Sequence, residues 1–102
     1  MPNRNYLTGR AYEYKAKRVL EEQGYTVIRT AGSHGPWDLV ATREGEKVRC
    51  IQIKRTKSPG ACKRLLGAFL KQVPQEEHFI QELWVYEGAR WHTSHFPLDK
   101  EE

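Results

Sequence analysis

Three polar side chains in the first half of the chain have types and positions that suit metal-assisted hydrolysis. Asp38 interrupts an otherwise apolar run, and Gln52 and Lys54 stand two residues apart in a segment that alternates polar and apolar residues. Carboxylate and amide oxygens are ligands that Mg²⁺ accepts while it keeps water molecules and phosphate oxygens in its shell. A bound cation can polarise a phosphodiester and activate water, and a lysine can stabilise the negative charge that develops.

Each of these positions also has a structural explanation. Side chains alternate between the two faces of a strand, so Ile51 and Ile53 are predicted to face an apolar core. Gln52 and Lys54 then share the other face, where they either emerge into solvent, which is the commoner case, or line a cleft. A buried acid needs a partner or a metal, but Asp38 taken alone is more often a residue that caps a turn. The residues by themselves leave both explanations open.

Hydrophobic spacing and turn residues predict the elements that would position these side chains. Apolar residues at helical spacing predict a helix over residues 5–23, and Gly24 is suited to end it. The other predicted elements are strands at residues 25–31, 37–42 and 47–55, a turn at 32–36, a helix at 61–73, and strands at 83–86 and 90–96. This αβββαββ order predicts an α/β fold with a small mixed β-sheet flanked by helices.

Length and composition predict one domain over residues 1–102 in an intracellular protein. A chain of 102 residues can build one modest core, and no apolar run approaches the length of a membrane span. The N-terminus has no apolar segment typical of a signal peptide. Cys50 and Cys62 lack metal-binding spacing and are interpreted as reduced thiols.

Positive charge is concentrated in the middle of the chain. The net charge is +4, and residues 47–75 contain no Asp or Glu. That stretch carries Lys47, Arg49, Lys54, Arg55, Lys57, Lys63, Arg64 and Lys71. Segregated positive charge is typical of a surface that binds a polyanion, most often nucleic acid, although a solvated basic face without a partner is the alternative.

Four sequence blocks resemble the PD-(D/E)XK nucleases and, more closely, the archaeal-type Holliday junction resolvases. The blocks are residues 9–13 (GRAYE), 24–33 (GYTVIRTAGS), 36–41 (PWDLVA) and 52–54 (QIK). The resemblance covers about residues 5–57, and the second half of the chain matches only in the order of its elements. It implies a restriction-endonuclease-like fold and a metal-dependent endodeoxyribonuclease.

The resemblance also implies site residues. The implied catalytic residues are Glu13, Ser33, Asp38, Gln52 and Lys54. The implied ligands of Mg²⁺, for which Mn²⁺ could substitute, are Glu13, Asp38, Gln52 and the backbone carbonyl of Ile53. Two departures from the family pattern are the insertion of Trp37, harmless if that ring packs inward, and Gln52 in place of an acid, which predicts weaker metal binding. Without the resemblance, Glu13 would be interpreted as an ion-pair partner of Lys17.

A further set of residues is expected to contact DNA. The resemblance implies phosphate contacts for Arg10 and Arg29. The other candidates for the DNA backbone are His34, Arg55, Lys57, Lys63 and Arg64, with an exposed loop or a solvated face as their alternative. His92 and His95 are three residues apart on a predicted strand, so they would face opposite sides and are not expected to form a zinc site.

The resulting functional hypothesis is a structure-selective endonuclease that resolves four-way DNA junctions. A junction is nearly two-fold symmetric and is cut on two strands, so a homodimer is expected. The expected partner is branched DNA, with no membrane and no small-molecule cofactor, in the cytoplasm or nucleoid, or in a host cell if the protein is phage-encoded. Alternatives are a flap, nick or duplex nuclease of the same fold, a junction-binding protein that has lost cleavage, and an RNA-processing relative.

Overall fold

Two helices pack against a five-stranded mixed sheet. Our computed structural model describes residues 4–30, 36–58, 60–72 and 78–96. The elements are α1 (Arg4–Glu22), β1 (Thr26–Arg29), β2 (Leu39–Thr42), β3 (Val48–Arg55), α2 (Ala61–Gln72), β4 (Phe79–Glu87) and β5 (Arg90–Phe96). The strand order is β1-β2-β3-β4-β5, and β3 and β4 are the parallel pair, since α2 connects them. The predicted fold class and element order are confirmed.

The start of β4 is the main error of the predicted boundaries. The strand begins at Phe79, four residues before the predicted position 83, because polar residues there obscured the strand pattern. Glu82 is 4% exposed, and its carboxylate accepts hydrogen bonds of 2.5 and 2.7 Å from Arg49 and one of 2.9 Å from the Trp84 indole. These partners satisfy the buried charge of Glu82, a residue that the sequence pattern alone would place before the strand.

The first helix buries an apolar face and ends at a glycine. Ala16 and Leu20 are fully buried against the sheet. Gly24 has a φ of 93°, and the carbonyls of Leu20 and Glu21 accept hydrogen bonds from the amides of Tyr25 and Gly24, the pattern of a Schellman cap. The predicted stop at Gly24 is confirmed. In the part of the chain that the structure describes, neither helix has the length and apolar character needed to cross a bilayer.

Apolar side chains cover both faces of the sheet. The cluster on the α1 side contains Ala16, Leu20, Val27, Leu39, Ala41, Ile51, Ile53 and Trp84. The cluster on the α2 side contains Phe69, Leu83 and Val85, with Trp37 packed against it. Ile51 and Ile53 therefore face a core as predicted, and Gln52 faces the second, smaller core. Cys50 and Cys62 are free thiols, as expected.

A two-residue turn joins β4 and β5. Glu87 pairs with Arg90, and the residues between them, Gly88 and Ala89, have φ values of 62° and 64°. Positive φ at both central residues defines a type I′ turn, which suits the twist of a hairpin. The turn therefore holds Ala89 in a left-handed conformation that disfavours a side chain.

Candidate functional site

The polar residues predicted to do chemistry meet at one end of the sheet. β2 runs antiparallel to β3, and Leu39 pairs with Ile51. Asp38, directly before β2, therefore lies beside the last residues of β3. We call this end of the sheet, marked by Arg29, Asp38 and Lys54, the carboxylate edge.

Backbone hydrogen bonds fix Asp38 on both sides. Its amide donates to the Ile51 carbonyl at 2.8 Å, and its own carbonyl accepts from the Thr30 amide at 3.0 Å. Its carboxylate oxygen Oδ2 accepts a third hydrogen bond, of 2.7 Å, from the Ile53 amide. Asp38 is thus not a simple turn cap, because its side chain is held against the end of β3.

Glu13 forms an ion pair with an arginine from β1. The Arg29 Nε and Glu13 Oε1 atoms are 2.9 Å apart, and the two side chains are 14% and 23% exposed. The alternative interpretation of Glu13 as an ion-pair partner of Lys17 is wrong, because Lys17 instead pairs with Glu21 at 2.9 Å. Sequence reasoning missed this role of Arg29, because the partners are 16 residues apart on different elements and no local pattern links them.

The two carboxylates influence each other. Burial is the main cause that raises the pKa of Asp38, against the Ile53 hydrogen bond and the positive charges of Lys54 and Arg29. Burial also raises the pKa of Glu13, and the negative charge of Asp38 raises it further, whereas Arg29 opposes both effects. A bound cation would relieve both the burial of these acids and the effect of the Asp38 charge on Glu13.

Gln52 is buried at the same edge and has a defined orientation. It is 7% exposed, and its Nε2 donates a hydrogen bond of 3.1 Å to the Pro36 carbonyl. Its Oε1 is therefore the atom that a cation could bind. The inserted Trp37 packs inward, with its ring 5.9 Å from that of Phe69, so the insertion leaves Asp38 in place.

Lys54 lies on the solvent-exposed side of the carboxylate edge. It is exposed, it shares the strand face of Gln52, and its charge acts on Asp38. The amide of the intervening Ile53 is used by Asp38, while the metal-binding role of the Ile53 carbonyl remains a prediction.

The donors at the carboxylate edge fit a small, hard divalent cation. Glu13 and Asp38 offer carboxylate oxygens and Gln52 offers an amide oxygen, all oxygen ligands of the kind that Mg²⁺ prefers. Among the described residues, no group of three or more His, Cys, Asp or Glu side chains could hold a metal. The candidate donors at the carboxylate edge agree with that finding, because the third of them, Gln52, is an amide rather than an acid.

The candidate DNA-binding residues fall into two groups. Arg10 and Arg29 stand over the Tyr14 ring, at 5.5 and 5.1 Å from its centre, beside Glu13. The second group, Arg55, Lys57, Lys63 and Arg64, is exposed at the end of β3 and the start of α2. Ser33 and His34 lie outside the described residues, so their predicted roles stay predictions.

Comparison with solved structures gives the class of fold. The chain is similar to Hjc of Archaeoglobus fulgidus, described as a Holliday junction resolvase from an archaeal hyperthermophile, with a TM-score of 0.57 and 20% identity. The match covers 84% of this chain and 70% of that chain. At this identity the likeness shows a shared α/β architecture, in which a mixed sheet carries the carboxylate edge.

Sequence comparison gives the family. The model of the archaeal Holliday junction resolvase (Hjc) family matches residues 4–62, more than half of the chain. The crossover junction endodeoxyribonuclease Hjc of Methanocaldococcus jannaschii is 44% identical over 54 residues, which are 51% of this chain and 40% of that relative. The chain therefore belongs to the archaeal Holliday junction resolvase family, although the match spans only 40% of that relative's length. Glu13, Asp38, Gln52 and Lys54 all lie within the matched residues.

Proposed function

We propose that this chain is a structure-selective, Mg²⁺-dependent endonuclease that resolves four-way DNA junctions by paired phosphodiester hydrolysis. The observation that carries the proposal is that two partly buried carboxylates, Glu13 and Asp38, are close enough for the Asp38 charge to act on Glu13, at an edge where Asp38 is fixed by the Ile53 amide. Both pKa values are raised, as expected for acids placed to share a cation. Family membership supplies the substrate class.

Glu13, Asp38 and Gln52 would hold the cation, with the Ile53 carbonyl as a fourth ligand. When bound, Mg²⁺ supplies electrostatic stabilisation of the phosphate and a more acidic water molecule. Gln52 adds no charge, so Glu13 and Asp38 provide the negative charge that retains the cation. Arg29 keeps the Glu13 carboxylate in position through their 2.9 Å ion pair.

Lys54 acts on the substrate side of the site. Its ammonium group is exposed two residues beyond Gln52 on the same strand face. From there it can hold the attacking water by a hydrogen bond and stabilise the charge that develops on the phosphate oxygens. Ser33, which lies outside the described residues, is proposed to assist cleavage.

The proposed substrate, a four-way junction, requires two active sites, so we propose that the protein acts as a homodimer inside the cell. Three of the exposed large apolar side chains support a contact surface on the α2 side: Ile28 is 61% exposed, Leu70 50% and Val48 38%. The sequence suggests α2 and the strand segment from Trp84 to Tyr86 as dimer surfaces, and α2 is the better candidate because β4 is an interior strand and Trp84 is 4% exposed.

A second candidate function is junction binding without cleavage. The observation that favours it is Gln52, whose amide is tied to the Pro36 carbonyl at a place where the family pattern has an acid. An uncharged ligand weakens metal affinity, and a sufficiently weak metal site would leave only the DNA-binding surface in use.

Cleavage of a labelled four-way junction, beside a linear duplex with the same arm sequences, separates these functions. We expect symmetric cuts near the crossover with Mg²⁺ or Mn²⁺, none with EDTA, and none with the variant Asp38→Asn, which should still bind the junction. Tight binding without cleavage in either metal would favour the second function. Equal cleavage of junction and duplex would instead indicate a general nuclease, and normal cutting by Asp38→Asn would refute the assigned site.

A further inference from the structure

We propose that Arg55, Lys15 and Lys57 form a subsite for a DNA backbone phosphate on the α1 side of the carboxylate edge. The inference rests on the proposed function, since it assigns a place on the protein to part of the same DNA. It adds Lys15, together with two tyrosines that position the cations, to the residues that contact the substrate.

A cavity at this position has the size of a small ligand site. Its volume is about 320 Å³, and its lining includes Tyr12, Arg55, Lys57, Tyr86 and the turn at residues 87–89. Tyr12 and Arg55 in its lining are the chain neighbours of Glu13 and Lys54, so α1 and β3 carry both the cavity and the proposed active site. Side chains alternate along β3, so Arg55 presents its charge on the opposite face from Lys54. A phosphate bound here would belong to DNA that continues past the site.

Aromatic rings of the cavity lining hold two cations, Arg55 in the lining and Lys15 beside it. The Lys15 ammonium stands 4.7 Å from the centre of the Tyr86 ring, and the Arg55 guanidinium stands 5.8 Å from the centre of the Tyr12 ring. The two rings are themselves packed together, with centres 5.0 Å apart, and Trp91 lies 5.0 Å from Tyr86. Cations over ring faces are restrained without being neutralised, so less side-chain freedom is lost when an anion binds.

One acid lines the cavity and reduces its positive charge without cancelling it. Glu87 is in the lining, where Arg55 and Lys57 outnumber it, and its Oε2 lies 3.2 Å from the His92 Nε2 atom on the neighbouring strand. Arg55 and Lys57 in the lining are exposed, and so is Lys15, which lies over the ring of Tyr86, another lining residue. Two positive charges therefore line the depression, and a third lies beside it. A phosphate diester, with one negative charge and several acceptor oxygens, complements that arrangement.

The test is equilibrium binding of the full chain to a four-way junction and to a duplex, in EDTA, over a series of salt concentrations. Loss of one phosphate contact reduces the slope of log affinity against log salt by about 0.9. We expect the double variant Lys15→Gln with Arg55→Gln to show this reduction and to bind several-fold more weakly at low salt. The single variants Lys15→Gln and Arg55→Gln are compared with a matched control, Lys71→Gln, which also removes one exposed charge, from the last turn of α2 on the other side of the sheet.

The outcomes separate the subsite from the proposed function. A wild-type chain that binds neither DNA would refute the proposed function itself. A wild-type chain with normal salt-dependent binding, and a double variant with the same slope, would refute the subsite alone. For cleavage, the double variant should raise KM with little change in kcat, because Lys15 and Arg55 contact a phosphate away from the reacting one. A variant with a lower kcat and an unchanged KM would contradict that placement.

Discussion

The variant Gln52→Glu restores the acid that the family pattern has at this position, and the structure predicts a cost for doing so. In the wild type, the Gln52 amide donates to the Pro36 carbonyl at 3.1 Å while 7% exposed. An ionised carboxylate cannot donate that hydrogen bond, and it would face both the carbonyl oxygen and the Asp38 carboxylate. We expect the metal-free variant to be less stable than the wild type at neutral pH.

The size of this effect follows from the groups involved. A neutral hydrogen bond contributes about 1 kcal/mol, and leaving a buried polar group without its partner costs about 1–3 kcal/mol. The expected loss in the free energy of unfolding is therefore about 2–4 kcal/mol without metal. Saturating Mg²⁺ should reverse it, because a ligand at a hundred times its dissociation constant adds about 2.7 kcal/mol.

The pH dependence provides an internal check. Burial and the Asp38 charge would raise the folded-state pKa of the introduced carboxyl above its unfolded value of about 4.3. The destabilisation is then fully present above that folded-state pKa and disappears as the pH falls toward 4.3, where the protonated group can donate to the Pro36 carbonyl as the amide does.

Urea unfolding of the wild type and the variant measures all three effects, at neutral and mildly acidic pH, with EDTA and with Mg²⁺. The control Gln72→Glu makes the same chemical change at an exposed position and should alter stability by less than about 0.5 kcal/mol. Equal stability of wild type and Gln52→Glu in EDTA at neutral pH would refute the buried contact with Pro36. A deficit that Mg²⁺ leaves unchanged would refute position 52 as a metal ligand.

Three other predictions concern stability. Glu82→Ala should lower the free energy of unfolding by about 3–5 kcal/mol, because it leaves the Arg49 charge buried without its partner. Ala89→Gly should raise it by about 0.5–1 kcal/mol, since glycine accepts the left-handed turn and the strain removed exceeds the added chain entropy. Without metal, the wild type should lose stability as the pH rises from the ordinary carboxyl range of about 4 through the raised folded-state pKa values of Glu13 and Asp38, which penalise ionisation in the folded state. Asp38→Asn should flatten that profile.

Denaturant unfolding checks these predictions, and each has a contradicting result. A Glu82→Ala variant within about 1 kcal/mol of the wild type would mean that solvent already screens the ion pair. A less stable Ala89→Gly variant would mean that the Ala89 side chain contributes more than its backbone strain costs. A metal-free stability that rises over the same pH interval would contradict the raised pKa values.

The parts of the site that could be predicted from sequence are those governed by local rules. β2 and β3 are joined by a short turn, so the alternation of side chains predicted that Asp38, Gln52 and Lys54 would come together. The order of the elements was predictable for the same reason, since hydrophobic spacing and turn residues are local signals. The comparisons then confirmed the family resemblance suggested by the blocks at residues 9–13, 24–33 and 36–41.

The parts that could not be predicted depend on contacts between distant residues. Arg49 and Glu82 are 33 residues apart, and their ion pair is what allows polar residues at the start of β4 to be buried. The Glu13–Arg29 pair similarly joins α1 to β1, and it replaces the i, i+4 pair that helical spacing suggested. Ion pairs between residues so far apart in the chain leave no periodic pattern in the sequence.

The hydrogen bond between the Ile53 amide and Asp38 Oδ2 makes the proposed site visible to spectroscopy. The proton in that bond belongs to a backbone group, so its nuclear magnetic resonance signal can be assigned without any labelled ligand. Its chemical shift depends on the charge of the acceptor, so protonation of Asp38, or its engagement by a cation, should displace this one resonance more than those of neighbouring amides. The end of β3 therefore carries a natural reporter of the state of the carboxylate beside it.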